Sequence, residues 1–143
     1  MSGRPLPIPD QDSERFWAAA ADHEFILQIC RRCGRRQFYP RFTCVHCHAE
    51  SLSWQPAPRD GTIYTVTVVR RAPSPALADE VPYSLALVEL DAGPRLMANV
   101  VGAPPGEVRI GQRGTLGFRD LAPGVAIPQF TVYVEHTATV CST

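Results

Sequence analysis

Apolar positions recur along this chain first at helical spacing and then at the spacing of strands. Between Glu14 and Ala21, the residues Phe16, Trp17, Ala20 and Ala21 fall on one stripe of a helix. Asp12 or Ser13 can cap that helix, and acidic Glu14 suits its first turn. Pro5, Pro7 and Pro9 make residues 1–12 an extended arm. After the helix the rhythm shortens. Phe25–Ile29, Gln37–Tyr39 and Ser51–Gln55 predict three short strands, with Pro40 stopping the second and Trp54 covering a small core.

From Gly61 onward the texture is that of longer strands. Thr62–Val69 is rich in β-branched residues and is closed by Arg70 and Arg71. Pro73, Pro75 and Pro82 make residues 72–82 a loop. Tyr83–Leu90 is a second strand, nearly all apolar, and Asp91-Ala92-Gly93 is hairpin chemistry leading into a third, Arg95–Val101. Pro104 and Pro105 mark another loop. Gln112–Arg119 is a fourth strand, in which Gly114 and Gly117 permit curvature. Ala122-Pro123-Gly124 turns into a fifth strand, Ile127–Val134. Five short strands with curving glycines predict a small closed barrel, of which the OB-fold is the commonest five-stranded kind and an SH3-like barrel the alternative. The chain is therefore expected to be mainly β, in three parts: an arm and helix over 1–24, a small metal-held unit over 25–58, and a barrel over 59–143.

The middle part owes its existence to four cysteines. Cys30-Arg-Arg-Cys33 and Cys44-Val-His-Cys47 are two Cys-x-x-Cys pairs separated by ten residues. Each pair can sit on a tight knuckle that turns both sulfurs toward one point, and two knuckles supply the tetrahedral thiolate set that zinc prefers. Four protein ligands leave no open position for water or substrate, so the metal is structural. An iron site of rubredoxin type uses the same ligands. Disulfides would need an oxidising compartment, and no secretory signal is legible at the N-terminus. The expected location is the cytoplasm. His46 and His48 lie beside the ligands and read as surface residues. Cys141 reads as a free thiol.

Composition narrows the function classes. The 143 residues carry 14 basic and 14 acidic side chains and no lysine, for a net charge of zero. Neutrality argues against a general nucleic-acid binder. The barrel half holds six arginines against eight acidic residues, counted from residue 60 onward. Its strand aromatics Tyr64, Tyr83, Phe118, Phe130 and Tyr133 are mostly needed for the core. A single-stranded nucleic-acid role, common among OB-folds, is the alternative that these counts oppose. No apolar run approaches the ~20 residues of a membrane helix. Arg31, Arg32, Arg35, Arg36 and Arg41 crowd the cysteines. They either offset the charge of −2 on a zinc with four thiolates or form an anion site. No catalytic set is legible: no Gly-x-Ser-x-Gly elbow, no phosphate loop, and no carboxylate or thiol partner in sequence for His23, His46, His48 or His136.

The order of parts carries a resemblance. Phe16-Trp17 opens the helix. Cys30-Arg-Arg-Cys33-Gly34-Arg35 and Phe38-Tyr39-Pro40-Arg41 make the ribbon. Gly61–Val69, Pro82-Tyr83, Val88–Asp91, Gly93–Leu96 and Val108–Gly111 follow. Over residues 13–131 this resembles the zinc-ribbon/OB-fold acyl-CoA-associated family known as domain of unknown function 35. His48 departs from it, since many members carry glycine after the last cysteine, and the stretch from Val132 lies beyond the usual pattern.

The resemblance implies a noncatalytic accessory subunit that binds acyl-CoA or scaffolds a thiolase-like enzyme, a lipid-transfer-protein-type aldolase, or an acyl-CoA hydratase. The expected setting is fatty-acyl or steroid-CoA metabolism. Phe16 and Trp17 are adjacent on the helix and point about 100° apart, so one small domain can hardly bury both. The stripe either packs on its own domain or docks on a partner, and in the docking reading Phe16 and Trp17 are the expected partner-binding residues. Arginines of the ribbon suit CoA phosphates or acidic partner groups.

Overall fold

The computed structural model describes residues 6–133. The end of the expected fifth barrel strand at Val134, the start of the arm including Pro5, and both His136 and Cys141 lie outside the described residues.

Among the described residues one α-helix, α1 (Glu14–Ala21), precedes eight strands. Its entry is fixed by a reciprocal pair. Ser13 is the N-cap residue, yet its hydroxyl makes no capping bond to the helix. Instead Ser13 N and Oγ both donate to Asp10 Oδ1, at 2.8 and 2.7 Å, and Asp10 N donates to Ser13 Oγ at 3.1 Å. Those bonds from Ser13 hold the Asp10 carboxyl below the usual carboxylate range.

A three-stranded antiparallel sheet follows, made of β1 (Ile26–Cys30), β2 (Arg36–Gln37) and β3 (Leu52–Pro56) in the order β2-β1-β3. Phe38 and Tyr39 leave the predicted second strand, because the chain turns after Gln37 to begin the second knuckle. The remaining strands are β4 (Asp60–Val69), β5 (Tyr83–Leu90), β6 (Arg95–Val101), β7 (Arg113–Ala122) and β8 (Val125–Val132). They close in the order β4-β5-β6-β8-β7. Every pairing is antiparallel except β6 with β8. This is the closed five-stranded barrel of OB type that the strand pattern predicts.

Closure depends on two glycines. Gly61 of β4 sits opposite Gly114 of β7 in the short ladder that seals the barrel. A Cβ on Gly114 would run into the Thr131 carbonyl and the Phe130 ring. Gly117 has far more room, with its nearest such contact at 3.9 Å. Flanking this ladder, Gly114 lets β8 come close and Gly61 lets β5 come close, its Cβ otherwise meeting Glu89 O at 2.8 Å.

The core is continuous across helix, ribbon and barrel. Phe16, Phe25 and Leu27 join Ile63, Leu96, Leu116 and Phe130 in one apolar cluster, with α1 packed against β8. Phe16 is only 1% exposed. Of the two expected partner-binding rings only Trp17 keeps an exposed part: α1 packs against β8, so Phe16 points into the core. Trp17 sits edge-on against it, with ring centroids 5.1 Å apart at 82°. A second, much smaller cluster comprises Cys30, Cys44 and Ala49, flanked by Cys47 and Leu52. Such a cluster is too small to hold the ribbon tip by burial alone.

Candidate metal centre and its surroundings

Both knuckles repeat one backbone pattern. In the first, Cys30 N donates to Arg35 O at 2.9 Å and Gly34 N to Cys30 O at 2.8 Å. In the second, Cys44 N donates to Ala49 O at 2.8 Å and His48 N to Cys44 O at 2.9 Å. The residue after each second cysteine takes a left-handed conformation, Gly34 at φ 78° and His48 at φ 65°. Glycine adopts that conformation freely, whereas histidine does so at a cost.

The four sulfurs converge. All lie within 4.8 Å of one another, with Cys30–Cys47 at 3.7 Å and Cys33–Cys44 at 3.6 Å. Sulfurs about 2.3 Å from a central ion at tetrahedral corners would be about 3.8 Å apart, so the residues fit one zinc. The first cysteine of each pair is the buried one and accepts two amide hydrogens. Arg32 N and Cys33 N donate to Cys30 Sγ, both at 3.4 Å, and His46 N and Cys47 N to Cys44 Sγ at 3.3 and 3.4 Å. Burial pushes the Cys44 thiol up, but the Cys47 and His46 amides and the neighbouring thiols outweigh it and bring it down to about 6. For Cys33 the Arg35 amide acts downward, while burial and the other sulfurs prevail and push it up to about 11. Four thiolates so close repel, and a dication removes that conflict. Bound there, zinc has no open position and acts as a structural cross-link.

A buried amide pair, which sequence reasoning missed, positions the second knuckle. Gln37 Nε2 donates to Gln28 Oε1 at 2.8 Å and to Thr43 O at 3.2 Å, and Val45 N donates to Gln37 Oε1 at 2.9 Å. Gln28 Nε2 donates to Arg41 O at 2.6 Å, and Arg41 N returns to Gln28 Oε1 at 2.9 Å. Two glutamines in opposing strands of an apolar pattern were the available signal. His23, which has no partner in sequence, meets Asp120 at 2.8 Å, while Arg59 Nη2 donates to the His23 carbonyl at 2.6 Å. This pair is exposed and ties the helix exit to β7, a contact of small energetic value in water.

The other expected residues separate. His46 and His48 are both exposed and stand outside the sulfur set. Arg31, Arg32, Arg35 and Arg41 are exposed, whereas Arg36 is half-buried. Phe16 belongs to the core. Trp17 is half-buried, and its indole Nε1 is buried without a partner among the described residues.

Comparison with known proteins bears on this arrangement. Residues 17–53 match the ChsH2 rubredoxin-like zinc ribbon domain, and residues 54–119 match the ChsH2 C-terminal OB-fold domain. A DUF35 domain-containing scaffold protein of Methanocaldococcus jannaschii is 31% identical over 119 residues, covering 78% of this chain and 80% of the relative. The chain belongs to the DUF35 family. A probable enoyl-CoA hydratase alpha subunit of Thermomonospora curvata is 32% identical over 127 residues, or 89% of this chain. The chain spans only 39% of that relative's length. Among solved structures, the Ltp2-ChsH2(DUF35) aldolase matches 90% of the chain and 99% of the matched one, with a TM-score of 0.80 and 31% identity. A DUF35 protein of unknown function from Sulfolobus solfataricus shares the fold at a TM-score of 0.56 and 17% identity. Among the described residues, no helix of this DUF35 chain is long and apolar enough to cross a membrane.

Proposed function

We propose that this DUF35 chain is an accessory subunit that scaffolds a thiolase-like partner enzyme acting on acyl-CoA thioesters, in fatty-acyl or steroid-CoA metabolism. The observation that carries this reading is the fit, at a TM-score of 0.80, to the ChsH2(DUF35) chain of an aldolase assembly. The build of the chain supports it. A closed four-thiolate metal site stiffens a ribbon rather than supplying chemistry. The ribbon presents Phe42 and Val45 at 70% and 52% exposure, side chains whose burial favours association. Trp17, half-buried beside Pro7 and Pro9, is the helix's contact for the partner, and Phe16 supports it from below. Reduced zinc thiolates suit the cytoplasm.

Co-expression with a thiolase-like subunit tests this reading. The two chains are expected to co-elute on size exclusion, and Trp17→Ala to weaken that co-elution while zinc content and barrel folding persist. Separate elution of the two folded chains, with this one zinc-replete, would reject the partnership.

A further inference from the structure

The ribbon sheet ends at β3, beyond which no further strand lies among the described residues. β3 pairs with β1 alone. The phase of that ladder is fixed at both ends, because Arg31 N donates to Ser51 O at 2.8 Å and Ala57 N to Phe25 O at 3.1 Å. Hydrogen-bonded pairs recur at every second residue of an antiparallel ladder. Ser53 and Gln55, opposite Ile29 and Leu27, therefore turn their backbone groups toward β1. Leu52, Trp54 and Pro56 turn theirs outward, and among the described residues nothing receives the Leu52 and Trp54 amides.

A free edge of this kind is a template for another strand, and proteins blunt such edges with brevity, charge or proline. The opposite edge of the sheet is blunted: β2 has two residues, and one is Arg36. β3 has five residues, no charged side chain, and a proline only at its last position. The nearest charges along the chain flank it and are opposite in sign, Glu50 before and Arg59 after. Neither has an ion-pair partner among the described residues.

We propose that β3 is an assembly edge, at which two copies of this chain join antiparallel about a two-fold axis at Trp54. The Leu52 amide of each copy donates to the Pro56 carbonyl of the other, and the two Trp54 residues exchange both their backbone bonds. Every outward amide of both edges is then used, because Pro56 has none. Half-buried Trp54 meets its counterpart as a cross-strand aromatic pair. Charge order selects a second copy as the occupant. An antiparallel joint lays Glu50 of one copy beside Pro58 and Arg59 of the other, so both ends gain an opposite-charge pair, whereas a parallel joint would set like charges together. The two ribbons become one continuous sheet. This assembly does not rest on the partner-enzyme role proposed above, since the chain itself supplies every group named.

Sedimentation velocity of the full zinc-loaded chain, from about 1 to about 500 µM, tests the edge. A reversible monomer–dimer equilibrium is expected. Gln55 is exposed, and Gln55→Lys sets like charges diagonally across the joint. That change should weaken the dimer at least about tenfold with zinc content unchanged. Glu50→Arg should weaken it about fivefold through its two end pairs, and adding Arg59→Glu should restore it. Met97→Lys, at a side chain 65% exposed on the barrel, should leave the dimer unaltered. A monomer at every concentration, or a dimer that Met97→Lys dissociates and Gln55→Lys leaves intact, would overturn the proposal. A monomer whose co-elution with the thiolase-like subunit is lost in Gln55→Lys would assign the edge to that subunit and overturn it as well.

Discussion

Gln28 and Gln37 face each other across the β1–β2 ladder and join through a 2.8 Å bond from Gln37 Nε2 to Gln28 Oε1, with both side chains buried. Their remaining bonds run to the backbone of Arg41, Thr43 and Val45. The pair therefore fixes the segment that delivers Cys44. Gln37→Ala should leave the Val45 amide and the Thr43 carbonyl unsatisfied, at about 1–3 kcal/mol for each group that stays buried. Zinc affinity should fall about 10–100-fold, as it does when groups that orient metal ligands are lost. Competition against a chromogenic chelator measures this.

Zinc uptake should depend steeply on pH. Without metal, the Cys33 thiol lies at about 11 and that of Cys44 at about 6. At pH 7 Cys44 is already a thiolate, whereas Cys33 must give up a proton to bind. Raising the pH removes that proton and strengthens binding, and lowering it opposes binding. Between the two values, affinity should rise at least about tenfold per pH unit. A pH series of the same chelator competition checks the slope. Cys33→Ser should release the metal and unfold the ribbon, read by elemental analysis and circular dichroism.

Relief of the left-handed residue in the second knuckle should be measurable. His48 occupies at φ 65° the position that Gly34 holds at φ 78° in the first knuckle. His48→Gly should stabilise the zinc-loaded protein by about 1 kcal/mol, the left-handed cost less the greater chain entropy of glycine. Equilibrium denaturation with excess zinc reads the difference.

Two glycines of β7 should behave oppositely. Gly114→Ala should destabilise by about 1–3 kcal/mol by overpacking β7 against β8, because its Cβ meets the Thr131 carbonyl and the Phe130 ring. Gly117→Ala should be near neutral. Urea midpoints of the two variants test the contrast.

Much of this architecture is legible in the sequence, for physical reasons that can be named. The cysteine spacing places the metal, since two knuckles can aim four sulfurs only at one point. β-Branched runs between proline loops locate all five barrel strands. Phe16 was misjudged because helical spacing says which residues share a stripe and not how the helix lies on the barrel. The glutamine pair escaped because Gln28 and Gln37 look like surface residues until the ladder brings them together.

The central claim is that this chain serves a partner enzyme. Its most direct test is a titration of the zinc-loaded chain into a fixed amount of the thiolase-like subunit while that subunit's acyl-CoA activity is followed. Activity should rise and saturate at a fixed stoichiometry, and the added chain should turn over no substrate alone. Full activity of the partner without this chain, or robust turnover by this chain alone, would contradict it.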